Sequence, residues 1–117
     1  MTPGAIRPEI AEIVRKIDEI RPQLCARAPE GDQLRRVPEE SFDAIAATGA
    51  LTISVPTRFG GLAACTREIQ AVSRAIARGD AGAAWVQSIL DSDAWVLSLM
   101  DDRAQEDVWG AGGGIDD

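Results

Sequence analysis

The polar positions most open to chemistry in this 117-residue chain are Gln87, Ser88, Asp91, Ser92 and Asp93, because they interrupt its most apolar stretch, Ala81 to Met100. A buried carboxylate costs several kcal/mol unless it is paired or hydrogen-bonded. Asp91 and Asp93 are therefore expected on a solvent strip. An acid at position 93, on the side of Val86, Leu90 and Leu97, would otherwise face a cavity, a partner or water. Trp85 and Trp95 are ten residues apart, which sets them within about 80° of each other around a helix and suits a core or an interface better than a pocket. The pair Gly60-Gly61 brings bare amides close together. Without a following Lys-Ser/Thr or a GxGxxG pattern, it reads as a sharp connector and not as a phosphate cradle. Glu39-Glu40 reads as a helix-start charge pair. Histidine is absent, which removes His-dependent triads, zinc sites and His acid/base pairs from anything this chain builds alone. Cys25 and Cys65 lie forty positions apart with no second ligand nearby, so two free, reduced thiols are expected.

These side chains need elements to position them, and the composition points to helices. Apolar residues make up 45% and aromatics 4%, with no tyrosine, in a chain rich in alanine. Pro8 with Glu9 and Glu12 starts a helix whose Ile6, Ile10, Ile13, Ile17, Ile20 and Leu24 recur at three- and four-residue steps. Pro22 is expected to kink or interrupt it, and Pro29 to Asp32 to form a turn. A second helix begins near Pro38-Glu39-Glu40, carries Phe42 and Ile45 inward and stops at Gly49. Leu51 to Val55 alternates as a short extended segment, too little for a sheet, and a loop follows over Pro56 to Gly61. A third helix runs from Thr66 to Gly79 with Ile69, Val72 and Ile76 on one face. Asp80 caps the central helix, Ala81 to Met100, which carries apolar residues on several faces and is expected to be buried on several sides. Arg103 to Trp109 makes a short amphipathic helix. The expected fold is all-α: a bundle of about five helices over residues 1–110, followed by a flexible Gly-rich tail at 111–117.

Charge narrows the partners. Residues 1–78 hold 11 basic against 10 acidic side chains, whereas residues 79–117 hold Arg103 against nine acids, for a total of −7. No basic stripe exists for nucleic acid, no apolar run approaches the ~20 residues of a membrane span, and no leader pattern precedes the first helix. A cytoplasmic protein is the expectation.

Three linked strings carry a resemblance. They are Arg36 to Ile45; Thr48-Gly49-Ala50-Leu51; and Val55-Pro56-Thr57-Arg58-Phe59-Gly60-Gly61. Together they resemble the N-terminal helical domain of the acyl-CoA dehydrogenase superfamily. Gly79 to Val86, Ala94-Trp95 and Ala104 to Gly110 are similar more narrowly to its flavin-dependent monooxygenase branch, the oxygenase components of two-component aromatic hydroxylases. The resemblance implies that reduced FMN or FADH2, delivered by a separate flavin reductase, reacts with oxygen and that an aromatic or polycyclic substrate is oxygenated. It also implies that Trp85 borders the flavin and substrate pocket. Asp93 falls where phenol hydroxylases of this type place a pocket histidine. An aspartate of pKa ~4 is a weak base toward a phenol of pKa ~10 and repels a phenolate. The resemblance therefore gives Asp93 a hydrogen bond to a neutral or cationic substrate, or to a partner group. The stretch ends where such proteins begin a β domain, so the expectation is a truncated or split portion, in a homo-oligomer or with a companion chain that supplies the flavin-binding domains. Two other readings stand beside it: a non-catalytic helical binding or dimerisation module, and a small cofactor-independent enzyme on a polycyclic natural product with Asp93 or Asp91 as acid/base.

Overall fold

The computed structural model describes residues 5–110. The tail expected at 111–117 lies outside the described residues. Helix α1 (Pro8–Leu34) is followed by α2 (Glu39–Ala47), two short 3-10 helices (Ala50–Thr52 and Thr57–Phe59), α3 (Thr66–Ala77), α4 (Ala81–Ser98) and α5 (Asp102–Trp109), with no strand among the described residues. They form a slab of 41 × 36 × 18 Å. At about 10 Å per helix, 18 Å holds only two helix layers.

The isoleucine stripe of α1 buries Ile10, Ile13, Ile17 and Leu24 against α3. Contrary to the sequence expectation, neither Pro22 nor the Pro29 to Asp32 segment ends this helix, which runs on to Leu34. Both prolines lie on the exposed side, where the carbonyls they leave without an N–H partner face water and the packed face is undisturbed. The helix stops at Arg35, in the left-handed region at φ 57°. Gly31 serves the chain's return: a Cβ there would stand 3.1 Å from Pro38 Cδ and 3.2 Å from the Arg36 carbonyl.

Helix α2 turns Ile45 inward, and Gly49 takes φ 90° after it. The segment expected to be extended, Leu51 to Val55, is instead a 3-10 turn followed by irregular turns. Its alternation is absorbed by burial: Leu51, Ile53 and Val55 are all buried, and among the described residues no partner strand draws the backbone out. The loop still satisfies its polar groups, since Ala63 N–H donates to the Val55 carbonyl (2.9 Å) and Ala64 N–H to the Ile53 carbonyl (2.8 Å).

Helix α3 buries Val72, Ala75 and Ile76 between α1 and α4. Asp80 caps α4 as expected, its Oδ1 accepting from Ala83 N–H at 3.1 Å. The second correction concerns α4 itself. Its buried face is made of Ala83, Ala84, Gln87, Asp91 and Ala94, small or polar, while Trp85, Ile89, Trp95, Val96 and Leu99 point outward. The helix is buried on one side because a two-layer slab offers it nothing on the other. Helix α5, capped by Asp101, is tied back by the Phe59–Trp109 ring pair, with centroids 5.6 Å apart, and by Arg58 donating to Gln105 Oε1 at 2.8 Å.

Candidate functional site

A cavity with the buried Asp91 carboxyl in its lining lies between the start of α3 and the middle of α4. Asp91 sits in its lining together with Ala64, Cys65, Thr66, Ile69, Ser92 and Trp95, around about 400 Å³. Gln87 and Asp91 are four residues apart and so share one helix face. The Gln87 amide N–H donates to Asp91 Oδ2, and Ser73 Oγ donates in turn to Gln87 Oε1 at 2.7 Å. A polar chain thus crosses from α3 through α4 inside an otherwise apolar interface. Asp91 is 0% exposed, and among the described residues its Oδ1 has no hydrogen-bond partner, as is also true of the nearby Ser54 Oγ.

Burial with no compensating cation pushes the Asp91 carboxyl up to about 7, the Ser54 and Gln87 groups only partly opposing the rise. This overturns the expectation that Asp91 lies on a solvent strip: its i−4 partner Gln87 lets the acid be tolerated inside. The Gln87–Asp91 spacing was the sequence signal available; Ser73, from another helix, carried none.

The positions singled out by resemblance lie elsewhere. Trp85 is 68% exposed and borders a shallow groove with Ser73, Arg74, Ala77 and Ser88. Asp93 is exposed, about 12 Å further along the helix axis. The structure does not bring Trp85 and Asp93 into one enclosed pocket with Asp91. A larger cavity of about 470 Å³ lies between the end of α1 and the start of α4, where Arg35 and Arg36 are balanced by Asp32 and Asp80, none of them buried.

A flavin presents a flat ring system and a phosphate-bearing chain. The outward tryptophans of α4 could form one wall for a ring. The phosphate end finds no cradle: Gly60 and Gly61 N–H donate to the Thr57 and Pro56 carbonyls, and Gly61 lies against Val55, where a Cβ would stand 2.1 Å from the carbonyl oxygen. Among the described residues Arg58, the nearest cation to that loop, is engaged by Asp102 and Gln105. The Gly60-Gly61 loop therefore does not fit the phosphate end of a flavin.

Residues 5–108 match the family described as acyl-CoA dehydrogenase, N-terminal domain. The chain is 36% identical over 97 residues to the flavin-dependent monooxygenase, oxygenase subunit HsaA, of Rhodococcus jostii, covering 83% of this chain and 25% of that protein. It is 27% identical over 104 residues to the oxygenase component of p-hydroxyphenylacetate 3-hydroxylase of Acinetobacter baumannii, covering 87% and 25%. The crystal structure of the HsaA monooxygenase from M. tuberculosis superposes with a TM-score of 0.82 at 33% identity, over 87% of this chain and 28% of that one. The chain spans about a quarter of the length of the curated relatives it matches.

Proposed function

The chain belongs to the family of acyl-CoA dehydrogenase N-terminal domains, and on that premise we propose that it is the N-terminal helical portion of a flavin-dependent monooxygenase oxygenase component. The observation that carries this reading is the outward face of α4, with Trp85 68% and Trp95 54% exposed beside Ile89, Val96 and Leu99. Apolar patches of this kind are seldom left bare, and here they mark a surface meant to be covered. The proposed cover is the remaining three-quarters of an oxygenase, as in the relatives, supplied by a continuation or by a companion chain. When bound, reduced FMN or FADH2 supplies the oxygen-activating chemistry. The contribution of this chain is one wall: Trp85 as a flat apolar surface that excludes water, and Asp93 as an exposed acceptor for a hydroxyl or cationic substrate group. An aromatic or polycyclic substrate, a cytoplasmic setting and a separate flavin reductase belong to the same proposal.

The test is a chimera in which residues 5–110 replace the corresponding segment of the Rhodococcus jostii oxygenase subunit. Reductase-supplied flavin should sustain oxygenation in the chimera, and Trp85→Ala should reduce it at least about tenfold. A folded but inactive chimera would overturn the reading. The same exposed face favours a second reading, a helical module that pairs with a copy of itself.

A further inference from the structure

The outward face of α4 has a regular spacing as well as an apolar character. Gly82, Trp85, Ile89, Ser92, Val96 and Leu99 follow one another at steps of three, four, three, four and three residues, and all six are exposed. That is the 3.5-residue period with which two helices pair along their length, here over about 26 Å of axis. We propose, resting on the self-pairing reading of this face, that the chain apart from any covering domain forms a two-fold dimer in which α4 lies antiparallel against α4 of a second copy.

Side-chain size fixes the direction. The stripe has two alternating rows, Gly82, Ile89 and Val96 in one and Trp85, Ser92 and Leu99 in the other, and an antiparallel pair sets each row against the other. Centred between Leu90 and Asp91, the pair puts Gly82 against the second copy's Leu99, Val96 against its Trp85, and Ser92 against its Ile89. Every layer thus joins a large side chain to a smaller one, and the two-fold axis repeats all three. The complement that fits every layer is the same size order read backwards, which a second copy supplies. A parallel pair would stack Trp85 on Trp85 and leave Gly82 facing Gly82, an overfilled layer beside a void.

Charge agrees with this arrangement. None of the six residues is charged, and Asp93, the one charged residue flanking the stripe on α4, comes beside the second copy's Val86 and not beside its own counterpart. Arg74, which lines the groove next to Trp85, is carried to the end of the pair where the second copy presents the C-terminus of its α4 and then Asp101. A cation is favoured at such a helix end.

Disulfide trapping reads the direction. Cys25 and Cys65, both exposed, are first replaced by Ser, which also serves as a helix cap at position 65. Chains carrying Gly82→Cys and chains carrying Leu99→Cys, mixed under oxidation, should join across copies at least about tenfold faster than either chain joins to itself. In the antiparallel pair the two Gly82 positions stand about 26 Å apart, far beyond the reach of a disulfide. Ser92→Glu, at an exposed position, should keep the helical circular dichroism of the parent and weaken the dimer at least about tenfold in sedimentation. A monomeric parent overturns the pairing itself. A dimer in which either cysteine chain joins fastest to itself, or one that Ser92→Glu leaves unchanged, overturns this geometry. None of these outcomes bears on the oxygenase reading, whose chimera is scored by oxygenation.

Discussion

Glu68 at the first turn of α3 receives both the backbone and the side chain of Arg7, sixty-one residues away at the head of α1. Arg7 N–H and Nε donate to Oε2 at 3.0 and 2.9 Å, and Nη2 donates to Oε1 at 2.9 Å and to the Leu62 carbonyl at 2.6 Å. Two helix starts and the loop between α2 and α3 are thereby fastened at one point. The Arg7 contacts, with burial opposing and the Cys65 N–H assisting, hold the Glu68 carboxyl at about 2. Removing Arg7 leaves a carboxylate that is 3% exposed without its cation. Arg7→Met should cost about 2–3 kcal/mol in urea unfolding at neutral pH, less than a fully buried pair because the arginine is a third exposed. A loss under about 0.5 kcal/mol would show the clamp to be ornamental.

How much of this was legible in the residues depended on whether a signal was local. The α1 stripe, the Asp80 cap and the Gly49 stop could be read because period, cap and turn chemistry act within one or two turns of the chain. The length of α1 could not, since the continuation past Pro22 and Pro29 depends on which face α3 occupies. Nor could the outward face of α4. Eight or more apolar residues announce burial, but a slab two helices thick has one side too few, and only the arrangement of α1 and α3 decides which side is left. The site followed the same rule: Gln87 and Asp91 could be paired by spacing, whereas Ser73, Thr66 and Cys65 reach them only through tertiary contact.

The two perturbed carboxyls act on stability in opposite directions with pH. Asp91, raised from 3.8 to about 7, keeps its proton in the fold after the unfolded chain has lost it. Its penalty is therefore absent below about pH 4, grows as pH rises to about 7 and then levels, at up to about 4 kcal/mol. Glu68, lowered from 4.5 to about 2, contributes stability above pH 4.5 that is lost as pH falls toward 2. Between them they place the most stable condition at about pH 4–5. Asp91→Asn should flatten the neutral limb and gain about 2–4 kcal/mol at pH 8 with almost no change at pH 4, measured by urea unfolding across that range. A wild-type chain equally stable at pH 5 and pH 8 would contradict the burial of an uncompensated Asp91.

Gly60 and Gly61 are adjacent but required for different reasons. Gly60 takes φ 89° with open space around it, so Gly60→Ala meets backbone strain alone and should cost about 1 kcal/mol. Gly61→Ala drives a Cβ to 2.1 Å from the Val55 carbonyl oxygen and should cost about 3 kcal/mol or more, with the loop displaced. Equal melting temperatures for the two variants would rule out the close approach at Gly61.

The bare face of α4 predicts association in the absence of other domains. Sedimentation velocity of the chain at high micromolar concentration should show a concentration-dependent dimer, weakened at least about tenfold by Trp85→Ser with Trp95→Ser. Both side chains are more than half exposed, so the double variant should fold as the parent does. A strictly monomeric parent would remove the self-pairing reading and leave the companion-domain reading standing.

The two backbone bonds from Ala63 and Ala64 to the Val55 and Ile53 carbonyls have a kinetic corollary. Loop amides ordinarily exchange with solvent deuterium almost as fast as a free peptide. These two close a fold of the chain whose residues Ile53 and Val55 are buried, so they can be released only when that fold opens. They should exchange as slowly as amides in the middle of α3, so that the loop between α2 and α3 would report the opening of the core.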